Sequence, residues 1–434
     1  ELKGGNDGLN TLIPYADPKY RELRPGIGVA RDHVVQLDEK VGLHNKLEPL
    51  MEAWKARDLA IVQGVGYPYP NRSHFRSIEI WDTASASNQT LSEGWIAQAF
   101  EGAALPKGAG VDSIVVDTNA LPSTGPSLRT IVMQDAENFL RQAQALREAG
   151  AMKDGGNPAL RHLLAVRQEI NAAAKGLSDK LRDAPAPKEA YSQELLFGRQ
   201  LELATKVVAA RVPVVAVKVA LGGFDTHANQ VQPHERLLGF LAMGLATLRR
   251  NLIAAGLWDD VLVMTYSEFG RRVRQNASAG TDHGTAAPLF VMGGGVKGGL
   301  HGVYPSLSDL QDGDLKHSVD FRSVFATVAQ GCWGLQRDFG RASRRNWASS
   351  SRSPDGRSAD TFDTSDILPA TPPRRHPFRG RVVLRSCSAP GAHVPVCVWG
   401  STKGRRDVAS QRVALLEPAR SLPRVEGSSR RPCA

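Results

Sequence analysis

Cysteine is absent from the first 331 residues of this 434-residue chain; its four copies are Cys332, Cys387, Cys397 and Cys433. That absence excludes a disulfide framework, a thiolate metal site and a cysteine nucleophile from most of the sequence. Long apolar runs are lacking too. No uninterrupted stretch approaches the roughly 20 residues needed to span a bilayer, and no basic, apolar and small-residue signal pattern opens the chain. Net charge is missing from the body. The whole chain carries +10, yet 19 Lys and Arg against 8 Asp and Glu lie from Leu335 onward, leaving 35 basic and 36 acidic residues before it. A neutral body has no electrostatic claim on a polyanion. Oxygen and nitrogen groups must carry the chemistry, and the expected partner is a small molecule, with no nucleic acid and no membrane span. The sequence leaves the oligomeric state open.

What remains is patterned as an α/β protein. Short β-branched runs bounded by Gly, Pro or Asp predict strands at Leu59–Val65, Ser113–Asp117, Val212–Ala220, Val261–Tyr266 and Pro288–Gly293. They are continuously apolar, as strands buried on both faces are. Helical patterns fall between them: "NKLEPLMEAWKAR", "AENFLRQAQALREAG", "ALRHLLAVRQEINAAAKGL" and "ERLLGFLAMGLATLRRNLIAAGL". In the last, Leu237, Leu241, Leu245, Leu248 and Leu252 form one stripe. The expectation is a three-layer α/β sandwich with a mostly parallel central sheet and helices on both faces, spanning residues 1–334. Residues 154–192 are a candidate helical cap. Residues 335–434 turn abruptly to Arg, Ser and Pro, and are read as a disordered basic tail or, preferentially, as out-of-frame translation. The opening "ELKGGNDGLN" starts inside a motif, which predicts an upstream strand and targeting segment outside this sequence.

Five polar clusters stand beside strands or glycines. In "GGNDGLNT", Asp7 sits in a glycine-rich turn, as a ligand to a cation or as an Asx turn. In "PYPNRSHFRS", Ser73 lies between Arg72 and His74; it suits a hydroxyl nucleophile beside cationic donors, or a helix N-cap. "GGFDTHANQVQPHERLL" supplies Asp225, His227 and His234, a mixed oxygen and nitrogen set that zinc, manganese or iron accepts. "TYSEFGRR" places Glu268 after a buried strand, with Arg271 or Arg272 able to grip an oxyanion or simply to pair with it at the surface. In "GTDHGTAAPLFVMGGGVKGG", Asp282 and His283 precede a strand instead of following one.

Taken in order, "GGNDGLNTLIPY", "NRSHFRSIEIWDTA", "GGFDTHANQ", "TYSEFGRR" and "DHGTAAPLFVMGGGVKGG" resemble the bacterial domain-of-unknown-function 1501 family from about Gly4 to Leu335. That family typically carries a twin-arginine export signal and looks like a branch of the alkaline phosphatase and sulfatase superfamily. The resemblance implies a periplasmic or otherwise exported protein. It implies Ser73 as nucleophile, Arg72 or Arg271 on the nonbridging oxygens, and a divalent-metal site from Asp7, Asp225, His227, Glu268 and His283. Zinc is the preferred ion, with manganese, iron, calcium or magnesium as alternatives. Where the superfamily has Asp-His, this chain has Glu268-Phe269, so a histidine ligand is missing and His74 or Asp282 is the candidate replacement.

The implied activity is hydrolysis of small anionic phosphate or sulfate esters. The alternatives are a catalytically silent exported binding protein that keeps the fold and, more weakly, a metal-free serine hydrolase using Ser73 and His74. Adjacent residues of an extended segment point opposite ways, and GXSXG is absent around Ser73, which disfavours the last.

Overall fold

The computed structural model describes residues 1–339, except 107, 109 and 149–155, together with 366–368 and 396–399. Nine strands build the central sheet: β1 (Leu59–Gly66), β2 (Ser113–Val115), β3 (Thr130–Val132), β4 (Ala216–Lys218), β5 (Val261–Met264), β6 (Ala287–Met292), β7 (Gly299–His301), β8 (Val319–Asp320) and β9 (Val396–Trp399). Their spatial order is β7-β1-β6-β5-β9-β4-β2-β3, with β8 also on β1. All five predicted strands are present, most of them shorter than predicted. The sheet is mixed, not mostly parallel: β6 runs antiparallel to both its neighbours, β5 and β1. The local sequence of β6 is as apolar as that of its neighbours, so it carries no sign of direction.

Alternation explains why these runs are apolar throughout. Successive residues of a strand point to opposite faces. Ile61, Val263 and Phe290 accordingly enter one core cluster, while Val62, Leu262 and Leu289 enter another. Helices α1 (His74–Thr83) and α5 (Phe321–Trp333) supply Trp81 and Phe325 to the second cluster. Helices α2 (Pro158–Arg182), α3 (Leu196–Ala209) and α4 (Val231–Ala254) supply Leu177, Leu201 and Leu241 to the first. Both faces of the sheet are therefore buried under helices.

By length and composition α4 could cross a membrane, which a count of uninterrupted apolar residues misses. Its leucine stripe, from Leu237 to Leu252, is packed in the core instead. The candidate cap region contains all of α2, whose Ile170, Ala173, Ala174 and Leu177 are buried in the same cluster. Most of the basic tail lies outside the described residues. Three pieces of it are described: 335–339, where Phe339 is buried; 366–368, where Ile367 and Leu368 are buried; and β9, which pairs in parallel with β4 and β5.

Candidate metal centre

The turns that leave β4 and β5 and the turn that enters β6 meet at the N-terminus of α1. His283 had stood out because it precedes its strand. Since β6 is antiparallel, that end lies beside the carboxyl end of β5, and His283 forms a bridge with Arg271. One reversed strand thus brings it to the residues that follow β4 and β5.

Four donor atoms converge there. Asp225 Oδ1 lies 2.9 Å from His227 Nε2, 3.2 Å from His283 Nε2 and 3.5 Å from His74 Nε2, and the two Nε2 atoms of His227 and His283 are 3.0 Å apart. The donors of His74, Asp225 and His283 all lie within 4.8 Å of one another. Four ligands about 2.0–2.1 Å from one zinc ion in a tetrahedron would be separated by roughly 3.3 Å. The donors of His74, Asp225 and His283 lie close enough together to share one ion, and His227 Nε2 stands beside two of them.

Each imidazole is oriented through its other nitrogen. His74 Nδ1 lies 2.8 Å from Glu268 Oε1, His283 Nδ1 lies 2.8 Å from the carbonyl oxygen of Arg72, and His227 Nδ1 lies 3.5 Å from Asp282 Oδ1. With the proton on Nδ1, each Nε2 keeps a lone pair turned toward the centre, the tautomer a metal-binding histidine needs. His74 Nε2 is buried and has no hydrogen-bond partner. The hydrogen bond that His74 donates to Glu268 raises the His74 pKa, whereas burial lowers that of His283. Burial pushes the Asp225 carboxyl up, but the hydrogen bond and charge of Arg271, with those of His283 and His227, hold it down at about 2. A fully ionised carboxylate is thus available at neutral pH.

Not every expected ligand reaches this point. Asp7 is fully buried, with Oδ2 2.5 Å from both Arg24 Nη1 and Gln230 Nε2 and Oδ1 accepting from Leu9 N at 3.2 Å. It caps a short 3-10 turn and neutralises Arg24, which leaves no oxygen for the cluster. The glycines ahead of it have their own reason. Gly4 (φ +110°) and Gly5 (φ +76°) are left-handed, and a Cβ on either would meet Asp225 N or the Phe269 ring at 2.4 Å. Glu268 is close to the centre but is buried and engaged: Gly4 N donates to its Oε1 at 3.0 Å and Ser267 Oγ to its Oε2 at 3.3 Å. It orients His74 instead of presenting a free ligand oxygen.

Arg271 is not free to clamp a substrate. It is buried, and its guanidinium donates to the carbonyl oxygens of Gly5 (2.6 Å), Thr281 (2.8 Å), Phe224 (3.0 Å) and Gly4 and to Asp225 Oδ1 (2.7 Å). It is the tie that fixes Asp225. Arg72 pairs with buried Asp314 while its backbone holds His283, and its side chain remains partly exposed. Ser73 is the N-cap of α1 by position, but its hydroxyl makes no capping bond and the residue is exposed. His74, expected only as a replacement ligand or as the partner of Ser73, stands among the donors. Its signal was its place directly after Ser73, on the first turn of a helix. His234, by contrast, is buried against Asn6 Oδ1 at 2.9 Å, away from the cluster.

Phe269 lies against the cluster. Its buried ring packs 4.8 Å from the His74 ring and 4.6 Å from the His283 ring, filling with carbon the space beside Glu268 where a second imidazole ligand was missing.

Residues 36–338 match the family described as "Protein of unknown function (DUF1501)". The chain belongs to this family. The matched span contains every donor of the cluster and every residue that orients one. No curated protein and no solved structure matches the chain.

Proposed function

We propose that this family member is an exported, metal-dependent hydrolase of phosphate or sulfate esters, built on an alkaline phosphatase/sulfatase-like three-layer sandwich. The observation that carries the reading is the convergence of His74, His227 and His283 Nε2 on Asp225 Oδ1, with each Nδ1 facing an acceptor. Three imidazoles and one carboxylate favour zinc over calcium or magnesium, which prefer oxygen alone. The apolar ring of Phe269 favours a single ion.

A divalent ion held by these four residues would supply Lewis acidity and a lowered pKa for a coordinated oxygen. The remaining roles fall to the chain itself. Ser73, exposed and uncapped at the start of a ten-residue helix, offers its hydroxyl to phosphorus or sulfur. The free N–H groups of that helix end favour the anionic group under attack. Arg72, held by Asp314, adds a cationic edge for nonbridging oxygens. Arg271 and Glu268 hold Asp225 and His74 in place.

The test combines elemental analysis with hydrolysis of 4-nitrophenyl phosphate and sulfate by the metal-loaded chain. Ser73→Ala should abolish turnover and keep the metal, whereas Asp225→Ala and His283→Ala should lose both. Unchanged metal content in the last two variants would overturn the assignment. Bound metal without turnover of either ester would favour the second reading, a silent binding protein, which the loss of a second metal site beside Phe269 supports.

A further inference from the structure

Most aromatic side chains of the described residues are hidden. Among the described residues, Tyr69 and Phe75 are the two exposed aromatics, at 85% and 68% of full accessibility. Both belong to the segment that enters α1, and they straddle Ser73 and His74. Scattered exposed apolar side chains need no explanation. Confinement of both exposed rings to seven residues, with the candidate nucleophile and a metal-facing imidazole between them, does call for one.

The segment is not a loose loop that fails to bury its rings. Tyr67 Oη is 2.6 Å from Ser77 Oγ and accepts from Asn71 N at 3.1 Å; Ser73 N donates to Asn71 Oδ1 at 2.8 Å; Ser87 Oγ donates to the Pro68 carbonyl at 2.7 Å. Tyr69 itself has φ +54°, a left-handed backbone that is unfavourable for a bulky residue and persists only where the surroundings impose it. A rigid, strained turn therefore holds the Tyr69 ring in solvent. Phe75, next to His74 on the first turn of α1, is fixed by the helix.

Resting on the ester-hydrolase reading, we infer that Tyr69 and Phe75 form a recognition platform for the alcohol portion of the substrate, and that this portion carries a ring. An aromatic side chain offers a ring substrate stacking or CH–π contact over a large area at little entropic cost. A short linear alcohol gains almost nothing from the same surface. The anionic group would then lie at the Ser73 end and the ring between Tyr69 and Phe75.

The inference is tested by calorimetric binding of methylphosphonate, phenylphosphonate and cyclohexylphosphonate to the full, zinc-loaded chain. Phenylphosphonate should bind about 3- to 10-fold more tightly than methylphosphonate. The double variant Tyr69→Ser/Phe75→Ser should lose that preference while keeping its affinity for methylphosphonate and its melting temperature. Cyclohexylphosphonate behaving like phenylphosphonate would support the platform with a saturated, sugar-like ring; weaker binding would support it with an aryl ring. Equal affinity for the methyl and phenyl probes, or a preference that survives the double variant, overturns the platform alone. Binding of no phosphonate overturns the ester reading and the platform with it.

Discussion

His74 Nδ1 and Glu268 Oε1 lie 2.8 Å apart although 194 residues separate them, and this contact turns His74 Nε2 toward Asp225. A carboxylate behind a metal-binding imidazole fixes its ring and makes it more basic. Glu268→Gln keeps the shape of the side chain and removes the charge, so divalent-metal affinity should fall by about 10- to 100-fold while the fold persists. Competition with a chelator measures it. Unchanged affinity would place His74 outside the metal shell.

Arg271 should matter more for stability than for chemistry. Its guanidinium joins the turns at Gly4–Gly5, Phe224–Asp225 and Thr281. Lysine has too few donors and the wrong geometry to replace a planar fork. Arg271→Lys leaves buried carbonyls without partners, and the metal-free protein should lose about 3–5 kcal/mol by urea unfolding. A loss below about 1 kcal/mol would show that these turns hold together without it.

Acid should weaken the metal-free protein through two buried histidines. Burial holds both His44 and His234 neutral, lowering each from 6.5 to about 4. Between those limits the unfolded chain takes up protons that the native chain refuses. Stability is therefore full above about pH 6.5 and falls as pH drops toward about 4, by about 1.4 kcal/mol for each unit of pKa displacement. His44 Nδ1 accepts from Lys46 N at 3.1 Å, so its protonation also breaks a cap. His44→Asn keeps a capping acceptor and cannot titrate. Urea midpoints at pH 7 and pH 5 should differ less in this variant than in the parent; equal differences would exclude His44 as a source of the pH dependence.

The parts of this architecture that rest on local pattern were legible in the sequence. Runs such as Leu59–Val65 and Val261–Tyr266 read as buried strands because both faces are covered, and Asp225, His227 and Glu268 could be placed at strand ends for the same reason. What failed to show were relationships between distant segments. Nothing in "PLFVM" reveals that β6 is reversed, though that reversal is what delivers His283. Nothing near Asp7 marks Arg24 as its partner, and nothing near Arg271 marks the backbone oxygens that occupy it. Nothing near Gly4 and Gly5 shows that a Cβ there would meet Asp225 and Phe269, more than 200 residues away.

The last consequence concerns a piece of the basic tail. β9 separates β4 from β5: Val261–Val263 pair with Val396–Val398 on one side, and Ala216–Lys218 with Cys397–Trp399 on the other. Leu2 and Lys3 continue the same parallel lane, with Leu2 N donating to the Tyr266 carbonyl at 2.8 Å and Leu2 opposite Leu221. The two flanking strands lead into the turns that carry Asp225 and Glu268, so the lane lies between the two turns. Without an occupant, β4 and β5 would face each other across about 10 Å with unpaired ladder groups. Val398→Pro removes a ladder N–H from a strand flanked on both sides, where proline is poorly tolerated. The variant should melt several degrees lower and bind metal more weakly, as should a chain ended after Phe339. If both keep the parental melting temperature and metal affinity, the sheet closes without β9.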